Sequence, residues 1–233
     1  MSLDEKAWQA VRARIARAAG AAGRDPAAIR LLAVSKGQSA EAVRAAYALG
    51  QRAFGENYVQ EALAKTAALA DLVDIEWHLI GPLQSNKARS AAQHFAWIET
   101  IDRAKIAERL SAARDAPLPR LDACVQVNIS GEGSKSGIEP GAALALLREV
   151  ASLPRLAVRG LMGIAEETVD IVRQRSQFRT LRELYEKARA EGIALDTLSM
   201  GMSADLEAAV AEGATLVRIG TALFGERAED HIA

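Results

Sequence analysis

The chain has 233 residues, half of them hydrophobic and a quarter charged, which is the composition of a soluble globular protein long enough to bury a full core. Its 29 Lys and Arg against 30 Asp and Glu leave a net charge of −1, which excludes the basic footprint of a nucleic-acid or anionic-membrane binder. One cysteine, Cys124, excludes an internal disulfide, and three scattered histidines with no CxxC or HExxH motif argue against a structural metal site.

The opening "MSLDEKAWQA" carries acidic residues and no apolar h-region, and no apolar run approaches the ~20 residues that cross a bilayer. A cytoplasmic protein is expected. From Leu3 to Ala19 the positions Leu3, Ala7, Trp8, Val11 and Ile15 recur at three- and four-residue steps, which predicts an amphipathic helix. The first strand, Leu31 to Ser35, follows it. Further short apolar runs lie at Arg52–Gly55, Ile75–Gly81, His94–Glu99, Leu121–Ile129, Ala157–Ile164, Ala194–Met200 and Thr215–Gly220.

Alanine- and leucine-rich segments of helical period separate these runs. Ser39, Asp102 and Ser203 stand at N-cap positions, and "YALG", "ARAEG" and "AVAEG" each place a glycine where a helix stops shortly before a strand. The repeated unit is strand then helix, with no hairpin signal. It predicts one α/β domain over residues 1–233, a (β/α)8 TIM-type barrel with an added N-terminal helix. The rival, an open doubly wound sheet, would want a GxGxxG turn after an early strand, and none is present.

Barrels of this class bind their ligands at the carboxyl ends of the strands. The first strand ends on Lys36. A terminal lysine is most often a solvated strand end, but one held in a pocket can do covalent chemistry. Later ends bring Asn57 in "GEN", "WHLIGPLQSNK", Thr100, Asn128 with "SGEGSKSG", "SMGMS" from Ser199, and "RIGTALFG" from Arg218. The last two loops occupy the place where barrels commonly hold phosphate, with Ser203 at a helix start and Gly220 letting the backbone approach an anion. By strand alternation Arg218 shares a face with Leu216 and Gly220, so it is buried and needs an acceptor, either a carboxylate or a ligand atom. A lysine, a phosphate cradle and an arginine beside it are the protein-side parts of a pyridoxal 5′-phosphate (PLP) site.

At these residues the chain resembles the pyridoxal phosphate homeostasis proteins, single-domain relatives of the barrel domain of alanine racemase. The matching segments are "AVSK" (33–36), "FGENYVQE" (54–61), "WHLIGPLQSNK" (77–87), "QVNISGEGSKSGI" (126–138), "RGLMGI" (159–164), "LSMGMSADLEAA" (198–209) and "VRIGTALFGER" (217–227). They span nearly the whole chain in order. The resemblance implies a (β/α)8 barrel holding PLP as a Schiff base on Lys36. It also implies phosphate ligands at Ser203, Gly220 and Thr221, a loop lined by Ser199, Met200 and Gly201, Arg218 against the pyridine nitrogen, and Asn57 beside the ring. Where the family usually has threonine and then proline after its lysine, this chain has Gly37, Gln38 and Ser39, which predicts a looser loop.

The resemblance further implies a role in intracellular vitamin B6 and amino-acid balance without strong catalysis. PLP-dependent apo-enzymes are the possible acceptors, with no nucleic-acid or membrane partner, and the protein is expected to be a monomer. The alternative is a PLP-dependent amino-acid racemase. Racemases of this fold add a β-domain carrying a second catalytic tyrosine, and this chain stops nine residues after Phe224. Of Tyr47, Tyr58 and Tyr185, only Tyr58 falls near a strand's carboxyl end. Lys135 is a possible anion contact in a loop that does not meet the P-loop spacing. His78 reads as a satisfied core histidine and Cys124 as an inert buried thiol.

Overall fold

The computed structural model describes residues 5–132 and 136–225. The N-terminal helix α1 (Glu5–Ala21) buries Trp8, Val11, Ile15, Ala18 and Ala19 along one stripe, as the spacing predicts; Leu3 lies outside the described residues. There follow β1 (Arg30–Val34), α2 (Ala40–Ala48), β2 (Ala53–Glu56), α3 (Val59–Ala68), β3 (Glu76–Leu79) and α4 (Ala88–His94). Next come β4 (Trp97–Ile101), α5 (Ala104–Ala113), β5 (Leu121–Val127), α6 (Ala143–Ser152) and β6 (Leu156–Gly163). The chain continues through α7 (Ile171–Ala190), β7 (Thr197–Ser199), α8 (Leu206–Ala211) and β8 (Leu216–Ile219) to the short α9 (Thr221–Phe224). The strands pair in parallel in chain order, and β8 returns to β1 with Leu32 opposite Arg218 and Ala33 opposite Ile219. The barrel is closed, so no sheet edge is left to protect.

Every predicted strand is present, with ends shifted by a few residues. The largest shift is at the fourth, where His94 finishes α4 rather than starting a strand, and β4 runs on to Ile101. The glycine stops hold: Gly50, Gly192 and Gly213 have φ of 96°, 89° and 100°, the left-handed conformation that closes a helix. Ser39 caps α2 by accepting the Ala42 N–H at 3.3 Å.

The other two predicted caps are corrected. Asp102 does not cap α5, which starts after Arg103; its carboxylate is taken instead by the Arg103 guanidinium at 2.6 Å. Ser203 lies in a turn ahead of α8, because the Asp205 carboxylate accepts the Met202 N–H at 2.6 Å and closes that turn before the helix begins.

Strand alternation separates two faces. Leu32, Ala53 and Leu216 pack together inside the barrel, and Trp97, Cys124 and Met162 form a second interior group. Their neighbours Phe54, Ile98, Leu161, Val217 and Ile219 join the main core with the helices. Fully burying such side chains contributes about 1.5–3 kcal/mol each, an upper range because unfolded chains are partly compact. Among the described residues no helix is long and apolar enough to cross a membrane.

Candidate functional site at the carboxyl rim of the barrel

β1 passes directly into Ser35, Lys36 and Gly37, with Ser35 buried and Lys36 half-buried at the rim. The backbone here is tied at several points. Ser35 N–H donates to the Gly55 carbonyl at 3.0 Å, and Gly37 N–H donates to Glu61 Oε1 at 2.5 Å. Lys65 Nζ, from α3, donates to the Ser35 carbonyl at 2.6 Å and to Glu56 and Glu61 at 2.7 Å each. Ser35 Oγ donates to Glu56 Oε1 at 2.5 Å. Burial pushes the Glu56 carboxyl upward, and the Lys65 charge opposes it. Gly37 sits at φ 70°, a conformation that a threonine would adopt only with strain. The looser loop expected from Gly37 to Ser39 is therefore not what forms: glycine permits the turn, and Glu61 and Lys65 pin it.

β8 lies alongside. A Cβ placed on Gly220 would be 3.2 Å from the Val34 carbonyl oxygen and 3.3 Å from Val34 Cβ, so the end of β8 runs against the end of β1. That brings Gly220 and Thr221 next to the segment carrying Lys36. Two residues earlier, Arg218 is only 4% exposed and shares the interior face with Leu216, as alternation requires. Its Nη1 donates to Ser199 Oγ at 2.8 Å and its Nη2 to the Gly163 carbonyl at 2.9 Å. Burial lowers the guanidinium from its ordinary value, while the charges of Glu99 and Asp205 oppose that. The acceptor demanded by the sequence is thus a hydroxyl and a carbonyl, with the carboxylate one bond further on.

That carboxylate is Glu99, fully buried on β4. Its Oε2 accepts the Ser199 hydroxyl at 2.5 Å, and its Oε1 lies 2.7 Å from His78 Nδ1. The His78 ring stacks on Trp97 at 5.0 Å with 5° between planes. His78 Nε2 is 3.8 Å from Glu76, too long for a hydrogen bond, so that attraction is electrostatic. Burial alone would lower the imidazole, but Glu76 and Glu99 outweigh it and raise it. Burial likewise works to raise Glu99, yet His78 and Arg218 hold it below the usual carboxylate range. His78 is a core histidine, as the sequence indicated, but it is satisfied at Nδ1 only: its buried Nε2 has no hydrogen-bond partner among the described residues. Cys124 is buried and its thiol pushed well up by burial, which suits the inert reading.

The β7–α8 loop holds Met200, Gly201 and Ser203. Gly201 has φ 95°, and a Cβ there would stand 2.5 Å from Ala209 Cβ. Arg14 of α1 donates to the Ser203 carbonyl at 2.7 Å and makes two 2.6 Å bonds to Glu207, tying this loop to the N-terminal helix. Gly201→Ala is expected to destabilise the fold by about 1–3 kcal/mol, because it combines a left-handed non-glycine residue with a core clash. Urea denaturation measures it; an unchanged midpoint would mean that the loop adopts another path.

Asn57 is half-buried in the β2–α3 turn. The next loop crosses close by, since a Cβ on Gly81 would fall 2.2 Å from the Asn57 carbonyl oxygen. In the β5–α6 loop, Asn128 Oδ1 accepts from Ser130 Oγ and from Gly131 N–H. Lys135 lies outside the described residues. Among the described residues no group of His, Cys, Asp and Glu is placed to hold a metal ion.

Lys36, Gly220, Thr221 and Arg218 are thus brought to one side of the mouth by β1 and β8, and Ser199 to Ser203 by the adjoining β7. Asn57 stands across β1, at the end of β2. Sequence reasoning missed Ser35, Glu56, Glu61, Lys65 and Glu99. A signal existed for three of them: Glu99 shares an inward face with Trp97 by alternation, and Glu61 and Lys65 are spaced for an (i, i+4) pair.

The family model for the alanine racemase N-terminal domain matches residues 7–228. The chain is 59% identical over 217 residues to a pyridoxal phosphate homeostasis protein of Pseudomonas aeruginosa, covering 93% of each. PipY of Synechococcus elongatus, solved with PLP bound, superposes with a TM-score of 0.79 at 42% identity, over 91% of this chain and 100% of that one. An alanine racemase from Clostridium difficile superposes at 0.73 with 12% identity over 93% of this chain and 59% of that one, a likeness of fold alone. Barrel, rim and relatives agree, and the chain belongs to the pyridoxal phosphate homeostasis protein family, built on the alanine racemase N-terminal domain fold.

Proposed function

We propose that this protein binds PLP at the carboxyl rim of its barrel and serves cytoplasmic PLP homeostasis, holding the cofactor and giving it up to apo-enzymes rather than turning over substrate. The observation that carries the reading is that Lys36 follows the end of β1, where Val34 runs against Gly220 just past β8, with Arg218 buried two residues before Gly220. This donor set fits the group. Lys36 supplies a primary amine for the aldehyde, Arg218 a fixed donor for the ring nitrogen, and Ser203, Gly220 and Thr221 the phosphate contacts, with Asn57 beside the ring. When bound, PLP supplies an aldehyde and an electron sink.

The same residues favour storage over catalysis. A guanidinium stays protonated, so Arg218 donates to the ring nitrogen and leaves it without a proton, which weakens the sink. Racemisation also needs an acid–base pair on opposite faces of the substrate carbon. Tyr58, the tyrosine nearest a strand's carboxyl end, is 64% exposed at the start of α3 and poorly screened from water. Loaded protein incubated with L- or D-alanine in deuterated water is therefore expected to show almost no α-deuterium exchange, while added apo-enzyme regains activity by drawing PLP from it. Turnover at about 1 per second or faster would make the protein a racemase instead.

A further inference from the structure

Four buried polar side chains cross the barrel interior in one connected line: His78 on β3, Glu99 on β4, Ser199 on β7 and Arg218 on β8. Nothing in the cofactor reading requires the first two. An ionised carboxylate fully enclosed in a barrel is costly unless it is paired and hydrogen-bonded, and Glu99 uses both oxygens for that. Its contact with Arg218 is indirect. The Ser199 hydroxyl gives its proton to Glu99 and accepts Nη1 of Arg218, so the carboxylate decides which way the hydroxyl points. A hydroxyl turned the other way would present its proton to the guanidinium, donor against donor.

We propose that Glu99 is a positioning residue for Arg218, acting through the Ser199 hydroxyl to fix the plane and tilt of the guanidinium that meets the cofactor ring. The inference rests on the reading of Arg218 as the ring-nitrogen partner. Three features support it. Arg218 donates to two described acceptors, Ser199 and the Gly163 carbonyl, and these lie on strands β7 and β6, so removing either lets the fork rotate. His78 in turn fixes Glu99: its Nδ1 holds one carboxylate oxygen, and stacking on Trp97 holds the ring. The other charged or titratable groups near this line include Cys124 on β5, Glu76 at the lower end of β3, Arg30, Asp122 and Asp205, and among the described residues the side-chain hydrogen bond of the guanidinium is the one to Ser199.

The test is the spectrum and affinity of bound PLP in Ser199→Ala, a change that removes one hydroxyl and leaves the Glu99 charge in place. PLP affinity is expected to fall about fivefold to tenfold, less than the roughly tenfold to hundredfold of a direct hydrogen bond to a charged group, because Ser199 acts through Arg218. The visible absorption maximum and circular dichroism of the bound cofactor should shift, while thermal unfolding stays near that of the parent and borohydride still fixes PLP on Lys36. Glu99→Gln should shift the spectrum in the same direction, because an amide cannot accept from both His78 and Ser199. If that variant does not fold, Ser199→Ala alone decides. Arg218→Gln separates the two readings. Should it move the spectrum while Ser199→Ala leaves both spectrum and affinity at the parent's values, Glu99 has no positioning role and the cofactor site stands. Should Arg218→Gln leave the spectrum unchanged, or the parent bind no PLP, both readings fall.

Discussion

Replacing Lys36 with alanine is expected to remove the borohydride-fixed PLP adduct completely, whereas the parent gives one reduced adduct on the peptide carrying residue 36. Lys36 amine condenses with an aldehyde to an imine and one water, and hydride reduction of that bond leaves a stable secondary amine that mass spectrometry locates. Competing amines are poorly placed. Lys65 is close to the loop, but its ammonium commits all three N–H donors to Ser35, Glu56 and Glu61 within 2.7 Å and has no lone pair to offer. Lys87 ends a short turn beyond β3. Lys36 follows the β1 end that Gly220 abuts, which brings its segment beside the loops read as holding phosphate. An adduct on Lys87 or Lys135 in the parent would overturn the assignment of the site to β1.

Much of this was legible in the chain because the informative positions obey local rules. Strand alternation put Arg218 on the face of Leu216, and the interior cluster contains Leu216. Glycine at helix ends announced left-handed stops at Gly50, Gly192 and Gly213, since few other residues tolerate that φ. What was not legible depends on partners far apart in sequence. Glu99 and Ser199 are 100 positions apart and meet only because the barrel closes. Asp102 and Ser203 satisfied the composition rule for caps, yet each lost the role to a competing bond, from Arg103 in one case and within the Met202–Asp205 turn in the other. Nothing local in the sequence pairs Lys65 with Glu56, which lies nine positions earlier in a strand of four residues.

That hidden pair carries the second large effect. Lys65→Met is expected to destabilise the protein by about 3–5 kcal/mol, the range for removing one partner from a buried ion pair. Lys65 and Glu56 side chains are 7% and 0% exposed, Glu56 Oε2 has no hydrogen-bond partner among the described residues, and the neutral Ser35 hydroxyl on Oε1 does not replace the charge of the ammonium. The loss should depend on pH. Burial already raises the Glu56 carboxyl, and without Lys65 it rises further. A carboxyl whose folded value is raised favours the folded state when protonated, so the deficit is smallest below the ordinary carboxylate range and grows as pH climbs through the raised value. Urea denaturation across that interval measures it, and Glu56→Gln added to Lys65→Met should recover part of the loss. Arg44→Ala, which breaks an exposed pair with Asp71, is the reference and should change stability by no more than about 1 kcal/mol. The variant should also hold PLP less tightly, because the Ser35 carbonyl and Glu61, which grips Gly37, lose their common anchor beside Lys36. If Lys65→Met matches Arg44→Ala in stability at every pH, the cluster neither supports the fold nor sets the loop.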